Sequence, residues 1–280
     1  MTVIDDVYVM PHLAAILVSG LDAEKFLQSQ LSSNVAALEP GATQFASWCA
    51  ANGRVIGLGW LVKTQDGFCW IIAADTAEAI IVGLTKYRLR SKVSITLSEA
   101  HTAVIGSALG LGAADSSVQL ADGRGLGIGR INEFRFAPEH FLADWHRRDI
   151  ELKIPWNAGG ERFLPQMLGL ERFAGLSLKK GCFPGQEVIS RLHYKGVLKR
   201  NLRVLQFDQP VIPGRFLCNE LSDEIEIIQV QGLLALAVVS NNLSLNFSIQ
   251  REGLAVFCRT AEDEFVATVE TDHSKIVDAP

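Results

Sequence analysis

Apolar and polar positions along the first ninety residues alternate in short, well-punctuated blocks. Ala14–Gly20 is an apolar run closed by a glycine, the pattern of a buried strand. Asp22–Leu31 changes to helical spacing, with Phe26, Leu27 and Leu31 on one face. Pro40-Gly41 predicts a turn and Thr43–Cys49 a strand. Asn52-Gly53 is a hairpin signal joining that strand to another over Arg54–Val62. Asp66-Gly67 makes a second hairpin into Phe68–Ala73, and Asp75-Thr-Ala-Glu78 has capping-box spacing for a helix reaching about Arg88. The sum is an α+β unit with an antiparallel sheet.

Beyond Val93 the pattern breaks into short apolar runs with many glycines. Gly106, Gly110 and Gly112 do not meet dinucleotide-binding spacing, because Asp115 stands where the third glycine is needed. Gly123, Gly125, Gly127 and Gly129 alternate, which suits a hairpin or close backbone packing. Pro138–Ile150 reads as a helix with proline in its first turn, ended by Ile154-Pro155. After Arg203 short strand patterns follow one another (Val204–Phe207, Ile225–Val230, Leu233–Val239, Gly253–Cys258), which predicts a small β-barrel.

Charge and cysteine content narrow the function classes. The net charge of −5 hides an asymmetry: Lys179–Arg203 carries seven basic residues against Glu187, whereas Asn219 to the end carries eleven acidic against three basic. A second basic cluster spans Lys86–Lys92, and the two could rim an anionic ligand. The overall acidity disfavours direct nucleic-acid binding. Five cysteines without a C-x-x-C pair, and histidines without metal-ligand spacing, argue against a disulfide framework or a metal site. Met1–Asp6 has no signal-peptide character, and the longest apolar run, Leu233–Val239, is far short of the ~20 residues that a membrane span needs. A cytoplasmic protein with no membrane partner is expected.

The most informative stretch is Lys179-Lys180-Gly181-Cys182-Phe183-Pro184-Gly185-Gln186-Glu187, running on to Arg191. It predicts an extended segment turning into a helix, with two glycines supplying backbone freedom and Glu187 and Arg191 on one helical face. A thiol beside lysines and near a helix N-terminus is expected to ionise more readily than a free one. Pairing of Cys182 with His193 as nucleophile and base is not favoured by their separation.

This stretch resembles the K-G-C-[FY]-x-G-Q-E-x-x-x-R signature of the YgfZ family, folate-binding proteins related to the glycine-cleavage aminomethyltransferase. Lys180, Gly181, Cys182, Phe183, Gly185, Gln186, Glu187 and Arg191 fill every fixed position. The similarity extends to Val18–Gln28, Lys86–Val93, the Ile154-Pro155 and Phe163–Gln166 steps, and Tyr194-Lys195-Gly196. It implies two interleaved α+β units with antiparallel sheets and a C-terminal small β-barrel in a three-domain ring. The corresponding boundaries are 1–95 (the first folate-binding unit), 96–198 (the unit with the cysteine motif) and 199–280 (the barrel). It also implies tetrahydrofolate, or a one-carbon-loaded folate, held with Trp145, Tyr194 and Lys195, and a thiol at Cys182 that is important to function. The implied role is assembly or repair of iron–sulfur clusters in client enzymes, including ones that modify tRNA.

The family's enzyme relatives carry an aspartate shortly after the first hairpin glycine. The matching stretch here, Gly53-Arg-Val-Ile-Gly57-Leu-Gly59, has no carboxylate, so no catalytic residue is assigned and transferase activity is not expected. Two other classes stay open: a folate-dependent aminomethyltransferase or other one-carbon transferase, and a tRNA-binding modification factor.

Overall fold

The computed structural model describes residues 6–112, 117–217, 224–242, 246–251 and 254–260. The described chain divides into two compact units, one within residues 1–145 and 156–198, the other within 146–155 and 199–280.

The first unit opens with β1 (Val7–Val9), β2 (Leu13–Ser19) and α1 (Ala23–Gln30), then β3 (Thr43–Cys49), β4 (Val55–Thr64), β5 (Gly67–Ala73), α2 (Ala77–Thr85) and β6 (Ser94–Leu97). It continues through β7 (Thr102–Ser107), β8 (Val118–Gln119), β9 (Gly125–Arg130), β10 (Arg135–Phe136), α3 (Glu139–Glu151) and α4 (Gln186–Lys195). The division between the units falls within α3.

One sheet runs β3-β4-β5-β2-β6, antiparallel throughout. The Asn52-Gly53 and Asp66-Gly67 hairpins form as expected, with both glycines at positive φ. Phe26, Leu27 and Leu31 are buried together with Trp48, Leu61, Trp70 and Ile72, so the apolar stripe of α1 packs on this sheet. The second sheet runs β10-β1-β7-β9-β8, and the N-terminal strand thus joins strands more than ninety residues away. It is antiparallel except for the short parallel pair β1–β10. Its glycines serve close packing: a Cβ at Gly125 would lie 2.6 Å from the Leu111 nitrogen, and one at Gly129 2.5 Å from the Phe134 ring.

One local expectation fails. The Asp75–Glu78 capping box does not form; Thr76 donates its hydroxyl back to the Ala73 carbonyl at 2.8 Å, and Ala74–Thr76 is a 3-10 turn. The residues before α4 join no sheet, and their backbone partners are scattered. Gly175 N donates to Leu170 O and Ser177 N to Ser32 O, so no ladder can propagate.

The second unit holds β11 (Arg200–Phe207), β12 (Gly214–Leu217), β13 (Glu224–Gln231), β14 (Leu234–Ser240), β15 (Asn246–Arg251) and β16 (Leu254–Thr260) in one antiparallel sheet, β12-β13-β14-β11-β16-β15. One face buries Leu205, Phe207, Ile225, Ile227, Ala237 and Val239. The expected barrel is corrected to an open sheet: among the described residues β12 and β15 share no ladder.

Candidate functional site

The cysteine motif is held by contacts from three sides, all within the first unit. Ser32, directly after α1, is fully buried, lies 2.7 Å oxygen to oxygen from Ser47 on β3, and donates to the Gly175 carbonyl at 2.6 Å. Gln44 Nε2 donates to Ser33 Oγ at 3.1 Å. This buried polar network ties the segment leading into the motif to β3, and each partner is satisfied locally.

Lys180 extends the same anchor. Its ammonium donates to the carbonyls of Leu31 (2.5 Å) and Ser33 (2.8 Å) and sits 5.2 Å from the Phe183 ring centre. Burial lowers its pKa to about 8, because removal from water penalises the charged form. Lys180 therefore binds backbone carbonyls of the loop that follows α1.

Gly185 forms the second contact. It caps α4 in the left-handed region (φ 81°), and an added Cβ would lie 2.5 Å from both the Ala50 carbonyl oxygen and the Gly53 Cα. The motif thus rests backbone to backbone on the β3–β4 hairpin turn. Gln166 supplies the third contact, donating to the Ile189 carbonyl at 2.7 Å. Phe183 and Ile189 are buried; Cys182, Glu187 and Arg191 are exposed, and Gln186 is half-buried.

What remains outward is the thiol. Gly181 has open space around its Cβ direction, and Cys182 is exposed beside it. Cys49 and Cys69, by contrast, are buried, and burial pushes both thiols up to about 12, so they stay protonated and inert. Cys218 lies outside the described residues. His193 lies seven residues into α4, roughly 10 Å along the axis at 1.5 Å per residue. Its ring packs edge-on to Tyr194, so it does not act as a base on the thiol. Among the described residues no group of three His, Cys, Asp or Glu side chains could hold a metal ion.

The folate candidates fall in different surroundings. Trp145 is 1% exposed, with the Arg124 guanidinium 4.3 Å from its ring centre and Phe141 stacked on it. Arg124 is itself buried, bonded to Asp122 at 2.7 Å and to the Trp145 carbonyl at 3.0 Å. No face of the indole is free to stack on a pterin, but its Nε1 is buried without a hydrogen-bond acceptor. Tyr194 and Lys195 are exposed on α4. Nothing in the described contacts brings them to Trp145.

The two glycine positions of the strand where the enzyme's aspartate is expected leave no free space for a side chain. A Cβ at Gly57 would fall 2.2 Å from Ile80 Cδ1, and one at Gly59 1.9 Å from the Ile71 carbonyl oxygen. Gly159 lies close to the same strand, where an added Cβ would fall 2.6 Å from the Ile56 carbonyl oxygen. A carboxylate at Gly59 would force β4 and β5 apart, and one at Gly57 would have to displace the Ile80 side chain.

Sequence reasoning missed Ser32, Ser33, Gln44, Ser47 and Gln166 as the motif's supports. The available signal was polar residues inside otherwise apolar strand and loop patterns, which predicts satisfied partners but does not say which.

The fold is similar to that of a glycine-cleavage aminomethyltransferase. The glycine cleavage system aminomethyltransferase T of Bartonella henselae superposes with a TM-score of 0.73 at 14% identity, over 92% of this chain and 85% of that one. No family model matches the sequence. The chain is 30% identical over 247 residues to an uncharacterized protein of Haemophilus influenzae, covering 80% of this chain and 85% of that protein, and it belongs to the same family.

Proposed function

We propose that this protein is a YgfZ-type folate binder that uses an aminomethyltransferase scaffold without transferring a one-carbon unit. On this reading it assists iron–sulfur cluster assembly or repair in client enzymes, tRNA-modifying ones among them. The observation that carries the reading is the pairing of a closed strand with an open thiol. Gly57 and Gly59 admit no carboxylate, while Cys182 stands exposed on a turn fixed from three sides. A transferase of this scaffold would need a carboxylate on that strand, whereas a protein that presents a thiol to a client needs the exposed cysteine.

Support for tetrahydrofolate is the Trp145 N–H, buried without an acceptor as are those of Trp48, Trp60 and Trp70; a pterin carbonyl or ring nitrogen would satisfy it once the packing around the indole opens. Tyr194 and Lys195 on the exposed face of α4 suit the anionic glutamate tail. When bound, the folate would supply a one-carbon carrier or reductant; this chain's residues only bind and orient it.

The test is titration of purified protein with tetrahydrofolate, followed by tryptophan fluorescence, alongside complementation by Cys182→Ser. Saturable quenching, with a variant that binds folate normally but does not restore cluster-enzyme activity, is expected. A silent titration overturns the folate claim, and full complementation returns Cys182 to a packing role. The fold likeness alone favours a second reading, an aminomethyltransferase, which predicts turnover of an aminomethyl donor.

A further inference from the structure

Two loops of the first unit are zipped into one rigid knuckle. Asp22 N donates to Lys92 O at 3.2 Å, and Lys92 N donates to Asp22 Oδ2 at 2.7 Å. A Cβ at Gly20 would lie 2.4 Å from the Lys92 carbonyl oxygen, so the 20–22 turn is pressed flat on the 88–92 turn. From this knuckle project Leu21 (87% exposed) and Leu89 (89% exposed), the two most exposed large apolar side chains among the described residues. Leu89 is also in the left-handed region (φ 43°), a conformation that a leucine adopts at a cost of ~1 kcal/mol.

Charge around the knuckle is uncompensated. Lys25, Lys86, Arg88, Arg90 and Lys92 are exposed and make no ion pair among the described residues. The nearest acids are already engaged: Asp22 accepts from the Lys92 backbone, and Glu24 pairs with Lys63 at 2.9 Å. Between α1 and the second turn runs an open groove of about 800 Å³ lined by Lys25, Arg90, Leu89 and Phe26, together with Asp22, whose carboxylate is tied to the Lys92 N–H.

We propose that this groove docks an acidic segment of a partner protein that also carries apolar side chains. Cations on the walls of a concave groove reach a narrow chain from two sides, whereas a flat bilayer would meet only the rim. A phosphodiester backbone would satisfy the cations but leave two fully projecting leucines without a partner. A segment that alternates carboxylates with apolar side chains uses both, and the rigid knuckle lowers the ordering cost of its capture. The proposal is independent of the folate reading.

The probe is a fluorescein-labelled synthetic peptide of glutamates with leucine at every third position, followed by anisotropy. Oligoglutamate, bulk tRNA and phosphatidylserine–phosphatidylcholine vesicles serve as competitors. Saturable binding is expected, weakened about tenfold or more in Lys25→Glu with Arg90→Glu. Leu89→Asn, which removes the apolar side chain without adding charge and tolerates the left-handed backbone, should weaken the peptide and leave oligoglutamate nearly unchanged. The altered side chains are solvent-exposed, so unchanged melting curves will show that the variants fold. Absence of saturable binding, indifference to both sets of variants, or displacement by vesicles or tRNA but not by unlabelled peptide overturns the proposal.

Discussion

Gly181 and Gly185 are both fixed positions of the cysteine motif, yet the structure assigns them opposite sensitivities. Gly185→Ala forces a left-handed conformation on a residue with a side chain, at about 1 kcal/mol. It also drives a methyl group to 2.5 Å from the Ala50 oxygen and the Gly53 Cα, backbone atoms that can relieve the contact only by separating motif from hairpin. Overpacking of this kind costs ~1–3 kcal/mol. The sum, about 3 kcal/mol, should lower the first unit's Tm by roughly 6–12 °C. Gly181→Ala meets nothing within 4 Å and should stay within about 0.5 kcal/mol of wild type. All five tryptophans lie in the first unit, so thermal melts followed by tryptophan fluorescence report on that unit. Equal shifts for the two variants, or an unmoved Tm for Gly185→Ala, would refute the backbone docking of motif on hairpin.

Other consequences follow from the same geometry. Gly57→Asp should destabilise the first unit by more than about 3 kcal/mol without producing aminomethyl transfer, because the new side chain collides with Ile80; a stable, active variant would contradict the closed strand. Lys180 has a folded pKa near 8 against 10.5 unfolded, so the unfolded chain binds more protons between those values and stability should rise with pH there. The burial penalty is fully present below pH 8 and is relieved as pH climbs. Lys180→Met should lack this gain, and parallel melting curves from pH 7.5 to 10 for the two proteins would argue against it. Of Cys49, Cys69 and Cys182, only Cys182 should react rapidly with Ellman's reagent in the native state, so Cys182→Ser should remove one thiol equivalent from the fast phase while Cys69→Ser leaves it intact.

Elements with strong local signals were legible in the chain. The Asn52-Gly53 and Asp66-Gly67 signals sit between apolar runs and gave the order of β3, β4 and β5, though not the register shift at Trp48 and Cys49. The helical stripe of Phe26, Leu27 and Leu31 was legible for the same reason. Contacts between distant segments were not. That Ser32 would hold Gly175, that Lys180 would reach the carbonyls of Leu31 and Ser33, and that Gly185 would seat on Gly53 all depend on tertiary packing, which periodicity does not encode. Thr76 shows how a local rule fails: its hydroxyl had two backbone options and took the Ala73 carbonyl. Trp145 shows the limit of residue type, since an aromatic on an amphipathic helix reads alike whether it faces a ligand or, as here, Arg124 and Phe141.

The central claim is that the scaffold binds folate while lacking the means to use it as a transferase. Isothermal calorimetric titration of the purified protein with tetrahydrofolate tests this most directly. The account predicts a saturable heat with one site per chain, weakened in Trp145→Phe, which removes the orphan N–H and keeps the ring. A flat titration, or undiminished binding by Trp145→Phe together with catalysed aminomethyl turnover in the same preparation, would contradict it.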